Sequence, residues 1–181
     1  MKILCIGAHP DDCEGSCGGL AALLRARGHS VVFVSVTDGS KGHYDEQYLR
    51  FPQRLVERRR SECLSAASII GAGYRFMELV DGEVVADLPA TQQMVALIRS
   101  EQPDLVLTNR PNDYHRDHRE VAKLVLDASY LLGVPFTCPD VPVLRRTPVI
   151  ADWSDGFTEG DGPFRADIVV SIDSVIATSF G

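Results

Sequence analysis

The 181-residue sequence has no run of 18 or more apolar residues, so no segment of it reads as a membrane-spanning helix. Its first residues pass straight into a strand-like run without the pattern of a secretory signal, so a cytoplasmic location is expected. Basic charge is scarce: 18 Lys and Arg stand against 25 Asp and Glu, a net charge of -7 that argues against a general binder of nucleic acid or acidic membranes. Cysteine is sparse too, with five residues at 5, 13, 17, 63 and 138. An odd number without framework spacing fits reduced thiols better than disulfides, most of them acting as small buried hydrophobes. Internal repeats, low-complexity tracts and linkers are missing. So is the Gly-x-Gly-x-x-Gly fingerprint of dinucleotide sites.

What is present is an ordinary globular balance, 45% hydrophobic and 24% charged, long enough for one domain over residues 1–181. Lys2 to Gly7 reads as a buried strand. Gly18 to Gly28 has the apolar spacing of a helix, and Ser30 to Thr37 is a β-branched second strand. A helix is expected from about Gln53 to Ile70, stopped by Gly71, then a short strand from Tyr74 to Leu79. Leu88 to Ser100 and Arg119 to Leu132 read as helices around a strand at 104 to 108. Further strands are expected near Pro148 to Trp153 and Ala166 to Ile172. This alternation predicts an α/β fold, a Rossmann-like three-layer α/β/α arrangement with a mostly parallel sheet. The loop from about Ser40 to Pro52 is long for such a fold and is expected to act as a lid.

Two clusters carry chemistry. Ala8-His9-Pro10-Asp11-Asp12 follows the first strand, and Asn112-Asp113-Tyr114-His115-Arg116-Asp117-His118 follows the strand at 104 to 108. If the strands are parallel, both clusters meet at the carboxyl edge of one sheet, where such folds place ligands. Zinc takes nitrogen and oxygen ligands and keeps a position open when it is catalytic. His9 and Asp12 on a tight turn can close on one ion, and a histidine of the second cluster completes the set. One carboxylate and one imidazole remain as general base and oxyanion partner, the inventory of metal-assisted amide hydrolysis.

Taken singly, each cluster has a plainer explanation: an Asp that caps a helix, or a surface His pair. Their joint placement favours the metal. Two other functions stay open, a non-catalytic metal- or ligand-binding domain and a nucleotide-binding module built on Gly7 and Gly15 to Gly19. The acidic pair beside those glycines would repel a phosphate.

With these residues assembled, the sequence resembles the PIG-L/LmbE-like family of zinc-dependent N-acetylglucosamine deacetylases. The resemblance rests on Ala8 to Asp12 with Gly18-Gly19, on Thr37-Asp38-Gly39, on Arg59-x-x-Glu62 ahead of Ala66-Ala67 and Gly71, on Asp81-Gly82, and on His115-Arg116-Asp117-His118. It covers about residues 2 to 130. It implies that His9, Asp12 and His118 bind Zn2+, or another divalent transition metal such as Fe2+. Asp11 would be the general base that deprotonates the attacking water. His115 would stabilise the oxyanion or protonate the leaving amine, oriented by Asp117, and Arg59 and Asp81 would contact the substrate. That substrate would be a small N-acetylated sugar conjugate, with no nucleic-acid or membrane partner. Family members often form homo-oligomers, but no surface stripe in the sequence marks one.

The sequence departs from the family in three places. Cys13 precedes Glu14, as in the Asp-Asp-x-Glu subgroup that includes bacillithiol-pathway deacetylases, and with Cys17 it raises a thiol ligand or redox sensitivity as a secondary role. Arg116 stands where Pro is usual. The family also continues past this length with a further His and Gln near the site, so a truncated or a naturally short chain is expected, with the pocket open on one side.

Overall fold

The computed structural model describes residues 1–154, 158–159 and 162–176. Five strands form one sheet: β1 (Lys2–Gly7), β2 (Ser30–Thr37), β3 (Gly73–Leu79), β4 (Leu105–Thr108) and β5 (Val149–Asp152). Their order is β3-β2-β1-β4-β5, and every neighbouring pair is parallel. The chain winds outward from β1 to β3, then returns to the other side of β1 for β4. This reversal leaves a crevice at the carboxyl ends of β1 and β4.

The helices α1 (Asp12–Ala26), α2 (Gln47–Arg50), α3 (Pro52–Ile70), α4 (Leu88–Glu101) and α5 (Arg116–Leu131) connect the strands. Side chains alternate across a strand, so the sheet feeds two cores. Ile3, Cys5, Val31 and Phe33 pack with Cys13, Cys17 and Ala21 of α1 and Cys63 and Ala67 of α3. Leu4, Ile6, Val32 and Val34 pack with Met94, Val95 and Ile98 of α4 and Val121, Leu124 and Val125 of α5. Strands buried on both faces read as continuous apolar runs, which is why β1 and β2 are so plain in the sequence.

Two helix starts lie earlier than their apolar periodicity suggests. Helix α1 begins at Asp12, where Asp12 and Glu14 place negative charge in the first turn, opposite the positive end of the helix dipole. Helix α5 begins at Arg116 because the His115 ring caps it, accepting the Asp117 N–H. The expected strand from Ala166 to Ile172 is not formed. Ile168 and Val169 are exposed there, and the segment pairs with no strand among the described residues; a β-rich composition alone does not make a strand. The intervening turn region instead carries a two-residue antiparallel pair, β6 (Thr158–Glu159) with β7 (Gly162–Pro163).

Arg99 of α4, 1% exposed, is the largest fully buried side chain among the described residues, which hydropathy does not anticipate. Its guanidinium donates to the carbonyls of Leu131, Leu132, Val134, Thr137, Cys138 and Val141, so it pins the chain that leaves α5. No helix among the described residues is long and apolar enough to cross a membrane.

Candidate metal centre

The turn between β1 and α1 places the first cluster. Gly7 is required there because a Cβ on it would lie 2.6 Å from Asp12 Cβ. Asp11 follows with φ 117, a strained conformation for a residue other than glycine that turns the chain sharply into α1. Asp12 then folds back on its own turn, and Oδ2 accepts the N–H groups of Ala8 at 2.8 Å and His9 at 3.0 Å. Asn109, directly after β4, ties the two strands together: Oδ1 accepts the Ala8 N–H at 3.0 Å and Nδ2 donates to Asp12 Oδ2 at 3.4 Å.

The second cluster lies on the β4–α5 loop and the first turn of α5, and it closes on the first. His9 Nδ1 lies 3.2 Å from His118 Nε2. Asp12 Oδ2 is 3.4 Å from His118 Nε2 and 3.7 Å from His9 Nδ1. Three ligand atoms around a tetrahedral zinc stand about 3.3 Å apart, from bonds of roughly 2.0–2.1 Å, so this trio fits such an ion. The His115 ring lies at the same point, its centroid 4.5 Å from that of His9 and 4.9 Å from that of His118. His9, His115 and His118 form one cluster able to hold a metal, and His9, Asp81 and Asp117 form a second around the same imidazole.

Carboxylates crowd these rings. Burial works against a charge on His9, but its hydrogen bonds to Asp12 and Asp81 outweigh that and raise its pKa to about 10. Asp12, despite burial, is held far below the ordinary carboxylate range by His118 and His9. Asp117 Oδ1 is buried without a hydrogen-bond partner. An excess of buried negative charge around imidazole nitrogens is the environment that a divalent cation relieves.

His115 differs from its neighbours. Its Nδ1 accepts the Asp117 backbone N–H at 3.2 Å, which leaves Nε2 to carry the ring proton. Burial, then the charges of His9 and His118, lower its pKa and favour this neutral donor form.

Three expected roles meet a different geometry. The Asp117 carboxylate lies not on His115 but on His9, with Oδ2 3.3 Å from His9 Nε2 and accepting the Gly82 N–H at 2.7 Å. At the second position of α5 its side chain points to the Asp81–Gly82 turn, while its backbone serves His115. Asp81, 6% exposed, sits 3.3 Å from His9 Nε2 through Oδ1 and accepts the Lys41 N–H through Oδ2, so its carboxylate backs the imidazole. Arg59 donates from Nη2 to Asp11 Oδ2 at 2.8 Å and also to the Pro10 carbonyl, gripping the strained turn.

Asp38 holds the surrounding loops in register, with Oδ1 accepting from Ser40 N–H and Asp81 N–H. The Ser40 to Pro52 segment touches the site through Lys41; farther along, Tyr44 and Leu49 project into solvent and α2 forms a single turn. Cys13 and Cys17 stand apart from the trio. Cys13 donates to the Cys5 and Val34 carbonyls in the core, and burial raises its thiol well above the ordinary value, an inert environment. All five cysteines are free.

The sequence does not single out Asn109, and it places Asp113 in the second cluster without a role. Asp113 Oδ2 lies 3.0 Å from His118 Nδ1, and Oδ1 accepts the His115 N–H at 2.8 Å. Both follow a short apolar strand and are nearly fully buried, a combination that marks a polar residue with a task.

Fold and site together define a class: a doubly wound parallel sheet carrying a His/Asp cluster able to hold a cation at its switch point. Residues 4–129 match the PIG-L family, described as GlcNAc-PI de-N-acetylase, and the chain belongs to that family. It is 33% identical over 138 residues to the diacetylchitobiose deacetylase of Thermococcus kodakarensis, covering 74% of this chain and 51% of that protein. It is 26% identical over 152 residues to the 4-oxalmesaconate hydratase of Pseudomonas putida, covering 82% and 59%. The fold matches that of the N,N'-diacetylchitobiose deacetylase from Pyrococcus horikoshii with a TM-score of 0.85 at 24% identity, over 98% of this chain and 66% of the other. The chain thus spans about half to three fifths of the length of these two curated relatives.

Proposed function

We propose that this chain is a metal-dependent hydrolase that removes the acetyl group from an N-acetylated sugar conjugate. The observation that carries the reading is the convergence of His9 Nδ1, Asp12 Oδ2 and His118 Nε2, with the His115 ring against both imidazoles and Asp11 preceding Asp12 in the same turn. Similarity to a diacetylchitobiose deacetylase supports the substrate class.

His9, Asp12 and His118 would hold the metal, with zinc the ion that this nitrogen and oxygen set suits best and Fe2+ the alternative. When bound, the metal would polarise the amide carbonyl and acidify the attacking water. Asp11 takes a proton from that water as its oxygen adds to the amide carbon. His115 donates a hydrogen bond from Nε2 to the oxyanion, a role that needs the neutral tautomer its Nδ1 contact favours. As the C–N bond breaks, Asp11 returns the proton to the leaving nitrogen, and the products are acetate and a free amine.

A second reading has one observation in its favour, the similarity to a hydratase. There the same water would add across a carbon–carbon double bond of an unsaturated acid. One panel separates the two. Acetate release from N-acetylglucosamine conjugates supports deacetylation, whereas loss of ultraviolet absorbance from an unsaturated dicarboxylate without acetate release supports hydration and overturns the first reading.

A further inference from the structure

Each imidazole of the ligand trio is backed by a buried carboxylate on the nitrogen that faces away from the metal position. His9 directs Nδ1 to His118 and Asp12, and its Nε2 lies 3.3 Å from Asp117 Oδ2 and 3.3 Å from Asp81 Oδ1. His118 does the reverse: Nε2 faces His9 and Asp12, while Nδ1 lies 3.0 Å from Asp113 Oδ2. The side chains of Asp113 and Asp117 are 0% exposed. Each carboxylate is steadied by a backbone donor, the His115 N–H on Asp113 and the Gly82 N–H on Asp117.

A neutral imidazole has one N–H and one lone pair. A carboxylate fixed on one nitrogen holds the proton there and leaves the lone pair on the other, which settles both tautomer and ring orientation.

We infer that Asp117 and Asp113 are positioning residues for the metal ligands, Asp117 holding the Nε2–H of His9 and Asp113 the Nδ1–H of His118. His9 then binds through Nδ1 and His118 through Nε2, so the two ligands present different ring nitrogens. The inference rests on the ligand set proposed above. It moves Asp117 from the acid–base machinery to the metal: its carboxylate acts through His9, and only its backbone N–H serves His115. Asp81 shares the His9 proton, so the outer nitrogen of His9 has two carboxylate acceptors where that of His118 has one among the described residues. Loss of Asp113 is therefore the more damaging of the two.

The test is zinc affinity of the full chain, measured by competition with a chromophoric chelator at fixed pH, for wild type, Asp113→Asn and Asp117→Asn. Long-range 1H–15N NMR of the imidazoles in zinc-loaded wild type accompanies it and needs no variant to fold. Outer-shell partners of metal ligands are worth about 10- to 100-fold in affinity. The expected result is a loss near the top of that range for Asp113→Asn and near the bottom for Asp117→Asn. NMR should show the ring proton on Nε2 of His9 and on Nδ1 of His118. Unchanged affinity in both variants, or protons on the opposite nitrogens, overturns the inference while leaving the ligand set standing. A wild type that binds no zinc overturns the ligand set itself.

Discussion

His9 Nδ1 lies 3.2 Å from His118 Nε2, although 109 residues separate them in the chain. Two protonated nitrogens do not rest at that distance, so one lone pair at least is directed into the shared space. Burial works against a charge on His9, but its hydrogen bonds to Asp12 and Asp81 outweigh that and raise its pKa to about 10. A metal takes the deprotonated nitrogen and must displace that proton. Zinc affinity is therefore expected to rise about tenfold for each pH unit between pH 6.5 and 8.5, with proton release seen by calorimetry in buffers of differing ionisation enthalpy. A flat profile would contradict the placement of His9 among the ligands.

Gly7 gives a second prediction, because its missing side chain makes room for Asp12. In Gly7→Ala the new methyl meets Asp12 Cβ at 2.6 Å, a contact close to the backbone that cannot swing away. We expect a stability loss of about 1–3 kcal/mol together with weakened zinc binding. Urea unfolding and a chelator competition measure both; a fully stable variant with normal zinc affinity would show that the turn has slack.

Arg59 grips Asp11 and the Pro10 carbonyl, so it should act on the base and not only on a substrate. Arg59→Ala is expected to keep its metal and lose about 10- to 100-fold in kcat, as misplaced catalytic groups do. A change confined to KM would restore the substrate contact that the family resemblance implies.

Glu14 lines a cavity of about 170 Å³ beside Asp11 and Arg59, and both its carboxylate oxygens are buried without a hydrogen-bond partner. Burial, reinforced by the charges of Asp11 and Asp12, pushes it up to about 7 from an ordinary 4.5. The folded state thus binds the proton more tightly than the unfolded chain. Stability falls as pH rises from about 4.5 to about 7 and stays lower above that, by roughly 3 kcal/mol at most. In chelator-treated protein, Glu14→Gln should be more stable than wild type at pH 8 and show little advantage at pH 4.5. An equal difference in urea midpoint at both pH values would exclude this account.

The strands β1, β2 and β4 are plain in the sequence because burial on both faces leaves them continuously apolar, and with parallel pairing they bring both clusters to one edge. The elements whose limits depend on side-chain capping are less plain. Apolar periodicity starts α5 near Arg119, whereas the His115 ring starts it at Arg116. Side-chain direction is the hardest to read: that Asp117 faces His9 depends on where the Gly82 N–H stands, 35 residues away in the chain. The roles of Asn109 and Asp113 are hidden for a similar reason, since they appear only when the chain ends of β1 and β4 lie side by side. The segment 166–172 has a strand's composition and pairs with no strand among the described residues, and composition alone cannot report that.

The most direct test of the account is metal content and acetate release, measured together on wild type, Asp11→Asn and His118→Ala with N-acetylglucosamine conjugates. The account predicts about one zinc per chain in wild type and in Asp11→Asn, acetate release only in wild type, and loss of zinc in His118→Ala. Turnover retained in Asp11→Asn, or zinc retained at full affinity in His118→Ala, would contradict it.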